Sequence, residues 1–185
     1  MAGFASSLSN VDFVHLDAPA LARGDFGWWH SPSRGWDRTR EWAIDVLSTQ
    51  PPFDGVFGFS QGAAFTGLLA GMRQQSADEP GADIRFDFAI MVGGFKSTAP
   101  QHAELFRHRL TLPSVHVIGR GDRVILPHES QALAGQFEAP IVLSHSGGHI
   151  VPNDPAVVEG VARFLGGMSR EVGPVGGDDR SRGIR

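Results

Sequence analysis

The sequence predicts an α/β fold: a mainly parallel sheet with helices on both faces. Short apolar runs rich in Val, Ile and Phe recur along its 185 residues and are too brief for helices. Longer stretches with apolar residues three and four apart lie between them, so strands alternate with helices, the pattern of parallel strands joined by helical crossovers. At one junction a buried strand runs through a sharp turn, Gly58-Phe59-Ser60-Gln61-Gly62, into a helix rich in small residues.

Residues 11–16 (VDFVHL) read as the first strand, ended by Asp17-Ala18-Pro19 because proline cannot continue a ladder. Residues 20–36 combine Gly24, Gly27, Pro32 and Gly35 with Phe26, Trp28 and Trp29, a turn-rich yet apolar loop. From Asp37, placed to cap its start, a helical stripe of Trp42, Ile44, Val46 and Leu47 runs to Pro51-Pro52. Residues 54–59 (DGVFGF) form the strand that leads into Ser60, and residues 62–72 (GAAFTGLLAGM) a closely packed helix. Beyond a polar loop come a strand at 86–92 ending in Gly93-Gly94, a strand at 115–118, a helix at 127–137, a strand at 141–143 and a closing helix at 155–165. Residues 1–166 make one domain. Residues 167–185 are Gly, Arg and Asp with few apolar side chains, and the expectation is a disordered tail, since so little burial does not offset the entropy of ordering.

Composition narrows the function classes. A net charge of -4 and 41% hydrophobic residues describe a chain with a sizeable core and no basic face, so nucleic acid is not an expected partner. The absence of cysteine excludes a disulfide framework, a thiolate metal site and a cysteine nucleophile. No stretch approaches the roughly 18 apolar residues of a membrane span, and no leader pattern opens the chain; the expectation is a cytoplasmic protein acting on a small molecule.

The G-x-S-x-G pattern carries the chemistry. A strand that turns sharply into a helix raises Ser60 above the sheet, and glycines two residues to either side leave room for strand and helix to approach. The helix start aims backbone N–H groups, that of Gln61 first, at an oxygen becoming negative in a tetrahedral intermediate. Asp122 follows the strand at 115–118 and His149 follows the last strand, so both stand at the carboxyl edge of the sheet together with Ser60. In that order Ser60 is the candidate nucleophile, His149 its base and Asp122 the group that orients the histidine. Plainer readings exist for each: an incidental serine in a turn, an aspartate capping the turn before Pro127, a loop histidine. His145 and His149 share a metal-like spacing, but Gly147 and Gly148 keep them off a helix, and no metal is expected. Gly93-Gly94 reads as close backbone packing. Phe26, Trp28 and Trp29 are core aromatics or, on a Gly-punctuated loop, the wall of a substrate pocket; the pocket is preferred.

Residues 53–64 (FDGVFGFSQGAA), 91–95 (MVGGF), 112–125 (LPSVHVIGRGDRVI) and 145–152 (HSGGHIVP) together resemble the serine hydrolase family abbreviated FSH, of the α/β-hydrolase superfamily. The resemblance runs from about residue 11 to 165. It implies carboxylesterase or thioesterase activity on an ester or thioester without a cofactor, with Ser60, Asp122 and His149 as triad and Gln61 as one oxyanion donor. Members begin with a strand, a His-Gly-Phe or Ala-Gly-Phe turn and a helix ahead of the segment matching residues 11–16, whereas only residues 1–10 precede it here. The expectation is therefore an α/β-hydrolase lacking that strand and its oxyanion loop. The alternative is a catalytically impaired binding protein or a fragment.

Overall fold

Four strands lie side by side in the order in which they occur in the chain: β1 (Gly55–Phe59), β2 (Phe88–Val92), β3 (Ser114–Gly119) and β4 (Ile141–His145). Every neighbouring pair is parallel. This computed structural model describes residues 2–8, 10–19, 27–30, 34–50, 52–76 and 84–171. The helices are α1 (Ala2–Ser6), α2 (Trp36–Thr49), α3 (Gln61–Ser76), α4 (Pro127–Ala134) and α5 (Pro155–Glu171), with a 3-10 helix at Pro100–Phe106 between β2 and β3.

The period-two alternation of β2 shows how the two layers arise. Phe88, Ile90 and Val92 point into a core with Val115 and Val117 of β3, Phe4 of α1 and Val157, Val161 and Leu165 of α5. Ala89 and Met91 point the other way, into a core with Phe65 and Leu68 of α3, Trp36 and Leu47 of α2, Phe106 of the 3-10 helix and Leu133 of α4. Helices thus cover both faces, as the sequence predicts. α5 continues past its expected end at residue 165, because Met168 packs on the same core and extends the stripe of Val157, Val161 and Leu165. The chain expected to form a tail lies, from residue 172, outside the described residues.

Residues 11–16 are not a strand of this sheet. The strand neighbour of β1 is β2, and its opposite edge carries none among the described residues. Phe13 meets Phe57 of β1 edge-on, ring centroids 6.2 Å apart, and a cavity of about 290 Å³ opens between the segment and β1. Side chains occupy the approach that a backbone ladder needs at about 4.8 Å. Of the apolar residues of VDFVHL, Val11 and Phe13 are half-buried against the core while Val14 and Leu16 are exposed, so the pattern reports partial contact with an apolar surface and not a strand of this sheet. No helix among the described residues is long and apolar enough to cross a membrane.

His116 of β3 is buried beside Phe137, ring centroids 5.0 Å apart. Burial pushes its pKa down to about 4, and His102 and His145 are lowered in the same direction, chiefly by burial. A histidine protonated more readily in the unfolded chain stabilises the fold fully above its unfolded pKa and loses that contribution as pH falls toward the folded value. For His116 the loss between about pH 6.5 and pH 4 is on the order of 3 kcal/mol. Urea unfolding should therefore show stability falling steeply below about pH 6, and His116→Gln should flatten the curve; equal slopes in the two proteins would remove His116 as the cause.

Candidate active site

β1 runs into Ser60, and α3 begins at the next residue. Ser60 has φ 56°, the only positive φ of a non-glycine among the described residues, in the region that costs an L-residue roughly 1–2 kcal/mol. The flanking sequence makes this turn possible: a Cβ on Gly58 would stand 2.3 Å from the Gly62 carbonyl oxygen and 2.5 Å from Thr66 Oγ1, so strand and helix cross only without one. The Ser60 N–H donates to the Val92 carbonyl at 3.0 Å, fastening the turn to the end of β2. Gln61 and Gly62 open α3, so their N–H groups have no intrahelical acceptor and remain at the positive end of the helix dipole.

Asp122 and His149 come from the loops after β3 and β4. Those loops are fastened to each other: the Arg120 N–H donates to the His145 carbonyl at 2.8 Å and the Gly121 N–H to the Gly147 carbonyl at 3.0 Å. Asp122 Oδ1 accepts the N–H groups of Val124 and Ile125, each at 2.9 Å, and Oδ2 lies 2.7 Å from His149 Nδ1. The Asp122 side chain is 2% exposed. Burial alone would raise its pKa, but the hydrogen bond to His149 and the two backbone N–H groups together hold it below the ordinary carboxylate value. An ionised carboxylate only accepts, so the proton between them sits on His149 Nδ1. The other nitrogen, Nε2, then presents a lone pair, and Ser60 Oγ lies 2.8 Å from it. Ser60 O–H therefore donates to His149, and His149 donates to Asp122.

The imidazole is held from two further sides. The Phe59 ring lies 4.8 Å from it, tilted by 33°. Gly93, just after β2 with φ 55°, packs against the other side: a Cβ there would come 3.2 Å from His149 Nδ1 and 3.5 Å from Asp122 Oδ2. The close packing expected of Gly93-Gly94 includes, at Gly93, packing against the histidine–aspartate pair, which sequence reasoning did not identify.

The remaining predicted residues part company. Trp28 stacks on Phe65 of α3 (4.4 Å, 16°) and lines the cavity beside β1, together with Phe57, Phe59, Gly62 and Leu69. Trp29 is buried in the core instead, edge-on to Trp36 and His102. Phe26 lies outside the described residues. The Gln61 side chain has a role that sequence reasoning missed: Oε1 accepts the Trp28 N–H and Nε2 donates to the Trp29 carbonyl, both at 2.8 Å. Its amide thereby clips the Trp28-Trp29 backbone to the first turn of α3. The only sequence signal was a glutamine, with two donors and two acceptor lone pairs, next to the serine.

Residues 3–161 match the family described as serine hydrolase (FSH1). The chain is 39% identical over 150 residues to esterase OVCA2 of Xenopus tropicalis, covering 74% of this chain and 64% of that protein. It is 30% identical over 165 residues to esterase CG5412 of Drosophila melanogaster, covering 77% of this chain and 58% of that protein. The chain thus spans less than two thirds of the length of either relative. Its fold is similar to that of acyl-protein thioesterase 2 of Zea mays, with a TM-score of 0.55 and 20% identity over 80% of this chain and 76% of that one. The parallel sheet and its helices are accordingly an α/β-hydrolase fold. Since the match over residues 3–161 takes in most of its length, the chain belongs to the serine hydrolase (FSH1) family.

Proposed function

We propose that this chain hydrolyses esters or thioesters of small to medium apolar acyl groups through an acyl-Ser60 intermediate. The observation that carries the reading is the unbroken relay from Ser60 Oγ to His149 Nε2 at 2.8 Å and from His149 Nδ1 to Asp122 Oδ2 at 2.7 Å. In it, Ser60 Oγ attacks the carbonyl carbon while its proton passes to His149 Nε2, and the carbonyl oxygen gains charge facing the Gln61 N–H. When the tetrahedral intermediate collapses, His149 hands that proton to the departing alkoxide or thiolate. Water then gives a proton to the same nitrogen and attacks the acyl carbon, releasing the acid and returning the proton to Ser60. Asp122 stabilises the imidazolium formed in each half.

An apolar acyl group is supported by the cavity along β1, about 290 Å³ and walled by Trp28, Phe57, Phe59 and Phe65, which comes up to the nucleophile turn at Phe59 and Gly62 without being lined by Ser60 or His149 themselves. That is the lower end of small-molecule sites, which run from about 300 to 1,000 Å³. A second reading, a protein that binds an acyl ligand without turning it over, is favoured by the edge of β1 that carries no strand among the described residues and by the single backbone donor assigned to the oxyanion.

Intact-mass spectrometry after fluorophosphonate treatment separates the two. The expected result is one adduct per folded chain, absent from Ser60→Ala. A folded protein that takes up no adduct would leave the binding reading in its place.

A further inference from the structure

Each donor aimed at a tetrahedral oxyanion adds to the rate, and on the reading above the backbone supplies Gln61 N–H. We propose that the indole N–H of Trp28 is a second oxyanion donor, so that Trp28 is a catalytic residue as well as a pocket wall. The proposal rests on the hydrolase reading and on four features. Trp28 Nε1 is placed beside the nucleophile turn, 3.6 Å from the position a Cβ on Gly62 would take. Among the described residues this N–H has no hydrogen-bond partner and is not fully buried, and Trp28 lines the cavity. The ring is held rigidly, stacked on Phe65 at 4.4 Å and tilted against Trp42 at 5.5 Å, while the Gln61 amide grips the Trp28 N–H and the Trp29 carbonyl at 2.8 Å. Finally, the two groups stand on different sides of the turn: His149 packs against Gly93 at the end of β2, whereas Trp28 Nε1 approaches Gly62 and borders the cavity along β1, whose outer edge carries no strand among the described residues.

The Gln61 side chain then couples two donors. The residue whose backbone N–H faces the oxyanion also fixes, through its amide, the loop that carries the indole. Donors held in place before the reaction need no reorganisation when charge develops, which is the source of their effect.

The test is Trp28→Phe, which keeps an aromatic ring against Phe65 and removes the N–H, with Trp28→3-benzothienylalanine as a near-isosteric second variant. Each is assayed with p-nitrophenyl butyrate and titrated with a trifluoromethyl ketone, whose adduct on serine carries the oxyanion. Expected are a loss in kcat of about 10²-fold, KM within about twofold, and a parallel loss in ketone affinity. Wild-type kcat and ketone affinity in the benzothienyl variant would overturn the inference while labelling of Ser60 leaves the hydrolase reading standing. A wild-type protein that fluorophosphonate does not label would remove both.

Discussion

Ser60→Gly should abolish ester hydrolysis and yet give a more stable protein than Ser60→Ala. The loss of activity follows from the relay: without Oγ there is no nucleophile for His149 Nε2 to deprotonate, and serine hydrolases stripped of the nucleophile lose on the order of 10⁶ in kcat. Stability separates the two variants because of the backbone. Ser60 is held at φ 56°, and alanine retains that strain of roughly 1–2 kcal/mol. Glycine relieves it but gives back roughly 0.5–1 kcal/mol in chain entropy. Both variants lose the hydrogen bond to His149, so that term cancels between them. The difference is about 0.5–1 kcal/mol in favour of glycine, which for a chain of this size means a melting temperature about 2 °C higher. Thermal melts of the two variants beside an ester assay check both halves. Equal melting temperatures would mean that the turn relaxes and stores no strain.

That strain was legible in the sequence, because it is a local steric matter. Gly58 and Gly62 at two residues from Ser60, between an apolar run and a small-residue helix, describe a crossing that only a tight turn satisfies. The positions of Asp122 and His149 at the sheet edge were legible for a related reason, since each follows an apolar strand at a glycine. What holds them was not. The Val124 and Ile125 N–H groups reach Asp122 only once the loop has turned back on itself, and Gly93 meets His149 only because three loops converge. Composition carries no record of such meetings. The 3-10 helix Pro100–Phe106 escaped because its buried residues, His102 and Phe106, make no apolar stripe. Residues 11–16 were misread because alternation reports which side chains touch an apolar surface and is silent on whether a backbone partner stands beside them.

Asp122→Asn is expected to lower kcat by about four orders of magnitude while leaving KM and the fold nearly as they were. The two backbone donors, Val124 and Ile125, each at 2.9 Å, decide how the new amide sits. Both need an acceptor, so the amide oxygen takes the place of Oδ1 and its NH₂ group turns to His149. An N–H facing Nδ1 forces the imidazole into the other tautomer, with Nδ1 accepting and the proton on Nε2. Nε2 is the atom 2.8 Å from Ser60 Oγ; once protonated it donates to the hydroxyl and no longer removes its proton. The geometry survives and the base is lost. Asp122→Ala is the less informative exchange, because it leaves two N–H groups without acceptors in a nearly closed site, at roughly 1–3 kcal/mol each, and mixes instability with inactivity. Nitrogen-15 spectra of the imidazole read the tautomer directly, and should show the proton moving from Nδ1 to Nε2 as kcat falls. A variant within tenfold of wild type, or one that is slow with an unchanged tautomer, would show that Asp122 does not orient His149.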